Sequence, residues 1–224
     1  MISISLCMIV KNEELTLERC LKSIQDIVDE IIIVDTGSTD KTKEIAYKFT
    51  NKVYDFKWCD DFSKARNYSF SKATKEYIMW LDADDVILEK DRVKLQHLKE
   101  TLDKKTDIVM LKYDLNLDEN GVPALSYYRE RILKRKNDYK WKSPIHEVIE
   151  LKGKLLYEDI SITHQKEKHH DPKRNLRIFE TMKKKLVVID KHLQEVGKSD
   201  ELDFEILESL RMILELFHGL ENED

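Results

Sequence analysis

Apolar residues recur in the first part of the chain with two different spacings. A continuous apolar run at Ile4–Val10 is followed by four residues spaced as one stripe of a helix, Leu17, Leu21, Ile24 and Val28. A second run, Glu30–Asp35, is again almost entirely apolar. Parallel strands that are covered on both faces have such continuous runs, whereas half-exposed strands alternate. The pattern therefore predicts βαβ units around a parallel sheet.

The same kind of periodicity continues along the rest of the chain. It predicts further strands at 53–54, 77–81, 107–113 and 127–133, and helices at 62–73 and around residues 95–102. Because Asn120-Gly121 is a hairpin-turn dipeptide, we expect the second half to be mixed and more antiparallel. Helical spacing resumes at Pro172. We therefore predict an α/β domain over residues 1–170 and a C-terminal helical segment over residues 171–224, packed on the domain or extending from it.

Composition restricts the function classes. Forty-four acidic residues against 39 basic ones give a formal charge of −5, so no general attraction to nucleic acid is expected. No apolar run reaches the ~18 residues of a membrane helix, and the first run lacks the flanks of a signal peptide. We predict a cytoplasmic protein without a transmembrane segment. The three cysteines have no metal-site spacing and are expected to be buried, reduced thiols.

Polar side chains follow the predicted parallel strands at the point where each strand ends. Lys11 and Asn12 follow the first strand, Asp35 ends the second, and Asp82 and Asp84 follow strand 77–81. In open α/β sheets, ligands bind outside the carboxyl ends of the strands. These residues are therefore predicted to meet at one crevice.

The segment Asp82-Ala-Asp-Asp85 concentrates carboxylates at a strand end. Carboxylate oxygens are suitable ligands for Mg²⁺ or Mn²⁺ bridging a diphosphate. The alternative is an acidic surface turn, which is the commoner origin of an isolated DxD. The position of this segment directly after a buried strand favours the metal site.

Two further segments lie between these strand ends. Asp35-Thr-Gly37-Ser-Thr leads into a helix N-terminus that can face an anion, although an ordinary capped turn has the same residues. Arg66, on the helix at 62–73, can reach a diphosphate with its several donors. A surface salt bridge is the alternative for any single arginine.

The second half offers His146, Glu147 and His164. His146 and Glu147 are adjacent in a predicted strand, so only one of them is expected to face the cleft. A structural or surface role is the usual one for an isolated histidine.

Four segments, SLCMIVKNEE, DEIIIVDTGSTDKT, WCDDFSKARN and WLDADD, resemble the family 2 glycosyltransferases in their order and spacing over residues 3 to about 90. A weaker match continues through SPIHE, ITH and PKRN. These later segments are similar to bacterial members near the peptide S-glycosyltransferases and to members fused to tetratricopeptide repeats.

The resemblance implies a GT-A fold, a Rossmann-like mixed sheet flanked by helices, and a set of site residues. It implies inverting transfer of a sugar from a nucleotide donor, expected to be a UDP-sugar, with a divalent metal, Mn²⁺ or Mg²⁺, stabilising the departing diphosphate. Asp35 would contact the base, Arg66 the base or diphosphate, Asp82 the ribose and Asp84 the metal, with His164 as an additional metal or diphosphate contact. The remaining residues expected around the nucleotide-sugar are Val10, Lys11, Asn12, Glu13, Gly37 and Ala83.

The general base is expected in the second half of the chain, with Glu147 as the first choice and His146 as the alternative. The acceptor stays open among a glycan, a lipid-linked glycan and a peptide side chain, because two departures from the family pattern fall on the acceptor side. Lys142-Ser-Pro144 replaces a usual glycine before IHE, and His164-Gln-Lys-Glu167 replaces HYGY.

Two other functions fit parts of the pattern. A sugar-nucleotide pyrophosphorylase would need a glycine-rich phosphate loop, which is missing after the first strand. A catalytically silent nucleotide-sugar-binding scaffold would not need the paired Asp82 and Asp84.

Overall fold

The computed structural model describes residues 1–165 and residue 178, and this part of the chain contains ten strands and four α-helices. The strands are β1 (Ile4–Val10), β2 (Glu30–Asp35), β3 (Val53–Asp55), β4 (Tyr77–Trp80), β5 (Asp85–Val86), β6 (Ile108–Leu117), β7 (Pro123–Lys134), β8 (Trp141–Lys142), β9 (Val148–Ile149) and β10 (Leu155–His164). The helices are α1 (Leu17–Lys22), α2 (Thr42–Tyr47), α3 (Phe62–Ser71) and α4 (Glu89–Thr101), with a 3-10 turn at Arg135–Asn137.

Eight of these strands form one mixed sheet in the order β3-β2-β1-β4-β7-β6-β10-β5. Strands β1 to β4 are mutually parallel, β7 runs antiparallel to both of its neighbours, and β10 is parallel to β6. Strands β8 and β9 form a separate antiparallel pair. The predicted change from a parallel first half to a mixed second half is therefore confirmed.

Both faces of the central strands are covered. In β1, Ile4, Leu6 and Met8 pack in the larger apolar cluster, whereas Cys7 belongs to the cluster on the opposite face. The larger cluster includes the buried leucines of α1 and α4, and the smaller one includes Phe70 of α3. This double coverage explains why the sequences of β1 and β2 are almost entirely apolar.

Three other predictions concern membrane-spanning helices, the cysteines and the C-terminal helical segment. Among the described residues, none belongs to a helix long and apolar enough to cross a membrane. Cys7 and Cys20 are buried as expected, but Cys59 is exposed, so that expectation was wrong for one thiol. Apart from residue 178, the C-terminal helical segment predicted over residues 171–224 lies outside the described residues, and the domain division at residue 170 stays a prediction.

Candidate functional site

The turn after β2 is built around the Asp35 carboxylate. Its Oδ1 atom accepts hydrogen bonds from the backbone N–H groups of Gly37 and Ser38, both at 2.9 Å. Gly37 has φ 103°, a conformation that side chains disfavour, so glycine is required for this geometry. Asp35 is buried, and its Oδ2 atom has no hydrogen-bond partner among the described residues. A buried acceptor of this kind is suited to a ligand that brings an N–H donor.

The end of β1 is fastened to the same turn. Asn12, in the left-handed region at φ 55°, donates its backbone N–H to Ser38 Oγ at 2.9 Å. Its side-chain Oδ1 accepts the Thr39 N–H at 2.8 Å. Val10 is buried and Lys11 is exposed beside it. The predicted meeting of the first two strand ends is therefore observed.

Glu13 contacts the start of α2 and is near the carboxylates at the end of β4. Its backbone N–H donates to Thr42 Oγ1, and its carboxylate accepts the Thr16 hydroxyl, both at 2.6 Å. Burial raises the pKa of Glu13, and the negative charges of Asp84 and Asp82 raise it further. The crevice at the ends of β1 and β4 is thus crowded with carboxylates and favours a cation.

Arg66 of α3 lies at the centre of the site. Its Nη2 donates to Asp82 Oδ1 at 2.8 Å and its Nε to Glu147 Oε1 at 2.7 Å. The guanidinium lies 4.9 Å from the ring centroids of both Trp80 and Trp141. Burial lowers the pKa of Arg66, but the two carboxylates outweigh burial and raise it overall. This arginine therefore joins a residue of the first half to one of the second half.

The turn from Asp82 to Asp85 presents its carboxylates in different directions. Burial raises the pKa of Asp82, whereas Arg66 and Arg131 lower it, and the net shift is downward. The Asp82 N–H donates to Asp85 Oδ2 at 3.0 Å, and Ala83 between them is buried. Asp82 is thus an ionised carboxylate beside Arg66.

Asp84, Asp85 and His164 form a separate cluster. Each offers one ligand atom, and these three atoms lie within 4.8 Å of one another. His164 Nδ1 is 3.4 Å from Asp84 Oδ1 and 3.6 Å from Asp85 Oδ1, and its polar contacts with these two carboxylates, Asp84 first, raise the pKa of His164 to about 10. The cluster stabilises a positive charge, either a proton or a cation. Two carboxylates and an imidazole are ligands that Mn²⁺ accepts.

The cluster agrees with the predicted grouping of Asp84 with His164, and adds Asp85, to which no role was assigned from the sequence. Antiparallel pairing of β10 with β5 brings them together, since His164 lies opposite Asp85 in the register. Asp85 Oδ1 is buried and has no hydrogen-bond partner among the described residues. The neighbouring carboxylate in the sequence was the only signal for it.

Two residues of the site were missed by sequence reasoning altogether. Arg131 of β7 is fully buried, and its Nη1 donates to Asp85 Oδ2 at 3.1 Å. Tyr113 of β6 places its hydroxyl 2.9 Å from His164 Nδ1. Burial raises the pKa of Tyr113, and the charge of Asp85 raises it further, so the phenol keeps its proton. An arginine next to the apolar pair Ile132 and Leu133 was the only sequence signal.

His146 and Glu147 do not lie in a strand, and that prediction was wrong. They belong to the connection between β8 and β9, where Ser143 and His146 adopt positive φ values of 72° and 51° and turn the chain. Glu147 is half-buried and faces Arg66, whereas His146 is exposed.

The connection that carries Glu147 is fastened to α3. The Asn67 side chain donates to the Trp141 carbonyl and accepts the Trp141 N–H, both at 2.9 Å. The Phe62 N–H donates to the Pro144 carbonyl at 2.9 Å. Helix α3 therefore holds both Arg66 and the segment that presents Glu147.

Comparisons with known proteins agree with this geometry. The model of glycosyl transferase family 2 matches residues 5–151, more than half of the chain. A TPR repeat-containing protein of Synechococcus elongatus is 38% identical over 152 residues, covering 67% of this chain and 36% of that protein. The SPbeta prophage-derived glycosyltransferase SunS of Bacillus subtilis is 36% identical over 98 residues, covering 42% and 23%. The chain spans about a third or less of the length of these relatives.

Among solved structures, S. aureus TarS 1-349 in complex with UDP-GlcNAc is similar, with a TM-score of 0.54 at 17% identity, covering 79% of this chain and 64% of that chain. At this identity the likeness concerns the fold. The predicted GT-A fold, a mixed sheet flanked by helices, is confirmed.

Proposed function

Because the chain belongs to glycosyl transferase family 2, we propose that it transfers a sugar, with inversion, from a UDP-sugar to an acceptor nucleophile and that it requires a divalent cation. The observation that carries this proposal is the alignment of three groups along one edge of the sheet. Asp35 lies at the end of β2, Arg66 with Asp82 at the end of β4, and the Asp84–Asp85–His164 cluster beyond them. The family match also leaves the pyrophosphorylase alternative without support.

The Asp35 turn would bind the base. Its Oδ1 is already engaged by two backbone N–H groups, whereas its Oδ2 has no hydrogen-bond partner within the described part of the chain and is the atom left for a ligand. Uracil carries an imide N–H that suits this acceptor. The TarS structure of similar fold contains UDP-GlcNAc, which supports testing a uridine donor first.

The carboxylate cluster would hold the cation. Asp84, Asp85 and His164 supply two oxygens and one nitrogen in a compact group, and Asp85 has a buried oxygen that lacks a partner among the described residues. These donors fit Mn²⁺ or Mg²⁺, with the imidazole favouring Mn²⁺. Such an ion, when bound, stabilises the charge that develops on the leaving diphosphate.

Arg66 would have three tasks in this reaction. It keeps Asp82 ionised and in place beside the expected ribose, and it provides a positive charge next to the expected diphosphate. It also holds Glu147 at 2.7 Å, at the border of the crevice. Glu147 is our choice for the general base that removes the proton of the acceptor nucleophile, with the exposed His146 as the alternative.

Calorimetric titration of UDP and UDP-GlcNAc, with Mn²⁺ or with a chelator, tests the proposal. We expect binding that is at least about tenfold weaker with chelator, and the same loss in Asp84→Ala. Asp159→Ala is the matched control, because Asp159 is an exposed carboxylate on the strand that carries His164. Equal affinity with and without chelator would remove the metal requirement.

Turnover requires a separate measurement. Slow release of UDP from the donor, or transfer to an acceptor, distinguishes an enzyme from the silent scaffold. Tight donor binding without any UDP release in the presence of Mn²⁺ and an acceptor panel of glycans, lipid-linked glycans and peptides would favour the scaffold.

A further inference from the structure

The Tyr113 hydroxyl lies at the imidazole of the carboxylate cluster. The distance from Tyr113 Oη to His164 Nδ1 is 2.9 Å, and this same nitrogen faces the Oδ1 atoms of Asp84 and Asp85. The phenol ring and the imidazole are 5.7 Å apart at an angle of 63°. One ring nitrogen is therefore approached by the phenol and by both carboxylates.

Strand register fixes this arrangement. In the parallel pairing of β6 with β10, Tyr113 lies opposite Ile162, two residues before His164, so the two side chains are on the same face of the sheet. On the other side, the Arg131 guanidinium lies 4.5 Å from the Tyr113 ring centroid. Tyr113 is buried, and these neighbours restrict its movement.

We infer that Tyr113 is a positioning residue for the cation site, acting through His164. This inference rests on the proposed cation requirement. An imidazole nitrogen that binds a metal must present its lone pair, and its orientation depends on the hydrogen bonds around the ring. Before a cation binds, the hydrogen bond between the Tyr113 hydroxyl and His164 Nδ1 holds the ring at the angle at which Nδ1 faces the two carboxylates.

The hydroxyl is suited to this position because it both donates and accepts. It accepts a hydrogen bond when Nδ1 carries a proton. With a cation on Nδ1, the O–H group would be able to turn toward Asp85 Oδ1, which has no partner among the described residues and whose second lone pair would remain to accept it beside the cation. The side chain thus satisfies both states of His164 without displacement of its ring.

The test is the affinity for Mn²⁺ alone, measured by electron paramagnetic resonance of the free ion, in the wild type and in Tyr113→Phe. The substitution removes one oxygen and keeps the buried ring, and a thermal unfolding scan checks that the fold is retained. We expect affinity to fall about 10-fold or more, the size of effect typical of residues that orient metal ligands. Tyr127→Phe is the matched control, because its ring is a neighbour of Tyr113 at 5.8 Å but is partly exposed.

A double-variant cycle shows whether Tyr113 acts through His164. In a His164→Ala background, Tyr113→Phe should cause no further loss, since its partner is already gone. Losses that multiply in the double variant would overturn the inference, as would wild-type affinity in Tyr113→Phe. If the wild type itself fails to bind Mn²⁺, the cation requirement falls together with this inference. If the wild type binds Mn²⁺ and Tyr113→Phe binds it equally well, the cation site stands and only the role of Tyr113 is wrong.

Discussion

The two halves of the site are built from different parts of the chain. On the β1–β2 side, the groups stand in turns and are held by backbone N–H groups, as Asp35 is by Gly37 and Ser38. On the β6–β7–β10 side, single side chains project from strand interiors, as Tyr113 and Arg131 do. On the β1–β2 side, several weak hydrogen bonds together hold each functional group in place. On the β6–β7–β10 side, each functional group depends on one or two individual side chains.

This difference predicts where substitutions are tolerated. A turn that loses one of several hydrogen bonds keeps the others, and each net contribution is about 1 kcal/mol. A buried ion pair that loses one partner leaves an uncompensated charge, which costs several times more. Single substitutions should therefore have large effects in the second half and small ones in the first.

The largest effect is expected for Glu147→Gln. The amide keeps the shape and is still able to accept the Arg66 Nε–H, but it is not a base. We expect kcat to fall about 10²–10⁴-fold, whereas donor affinity changes little. Steady-state kinetics with the best acceptor, together with calorimetry for UDP, measure both quantities.

Glu150→Gln is the control for that experiment, because Glu150 lies three residues further along the chain, just after β9, but is exposed and pairs with Lys142 and Lys152. Full kcat in Glu147→Gln, together with its loss in His146→Ala, would move the base to His146. If neither substitution matters, the base lies elsewhere in the chain.

The next largest effect concerns Arg131→Met. Both Arg131 and Asp85 are fully buried, so the substitution leaves Asp85 Oδ2 without the buried cation that it contacts at 3.1 Å. We expect the free energy of unfolding to fall by about 3–5 kcal/mol. Urea denaturation of Arg131→Met and Arg129→Met provides the comparison, since Arg129 is partly exposed and should cost less than about 1 kcal/mol. Equal losses of unfolding free energy in the two variants would contradict the prediction that the fully buried pair of Arg131 and Asp85 contributes more to stability than Arg129.

The same contrast explains how much the sequence could predict. The bounds of β1 and β2 agree with the apolar runs, and the turn residues after them are adjacent in sequence to the strands they follow. Local spacing was sufficient there because each βα turn is a local structure. The convergence of Asn12 with the Asp35 turn then follows from the parallel order of the strands.

The second half depends on information that spacing does not contain. Arg131 lies at a register shift between β6 and β7, where Glu130 pairs with Met110 and Ile132 with Val109. Such a bulge changes the side-chain alternation, so no periodicity identifies the face on which Arg131 lies. The loop that carries Glu147 was predicted as a strand, since residues at positive φ other than glycine leave no clear signal in composition.

Glu30, at the start of β2, provides a smaller effect with a definite pH dependence. Burial raises its pKa, but hydrogen bonds from Lys52, Ser5 and Thr74 outweigh burial and lower the pKa to about 2. The folded-state pKa lies below the unfolded value, so this stabilisation is complete above about pH 4.5 and is lost as pH falls toward 2.

We expect Glu30→Gln to remove about 2 kcal/mol of unfolding free energy at neutral pH, less than the full pKa difference because Lys52 is 40% exposed. Denaturation at pH 6, 4 and 2.5 should show the two proteins converging in acid. A constant difference across this range would show that the loss comes from packing and not from the ionised carboxylate.

The smallest effect is expected for Asn12→Gly, at the end of β1, where the chain contacts the turn after β2. Asn12 has φ 55°, and its Oδ1 accepts the Thr39 N–H from the turn after β2. Glycine adopts this φ freely but loses two exposed hydrogen bonds, those that Asn12 Oδ1 accepts from the Thr39 N–H at 2.8 Å and the Thr39 hydroxyl at 3.4 Å, so the free energy of unfolding should fall by less than about 1 kcal/mol. Asn12→Ala loses the same two hydrogen bonds and also introduces a side chain that disfavours the left-handed region, at a further cost of about 1 kcal/mol. The difference between the two variants in urea denaturation isolates the backbone conformation from the hydrogen bond. If Asn12→Gly lowered the free energy of unfolding as much as Arg131→Met, the proposed difference between the two sides of the site would be wrong. Several weak hydrogen bonds would then not protect the first side against single substitutions.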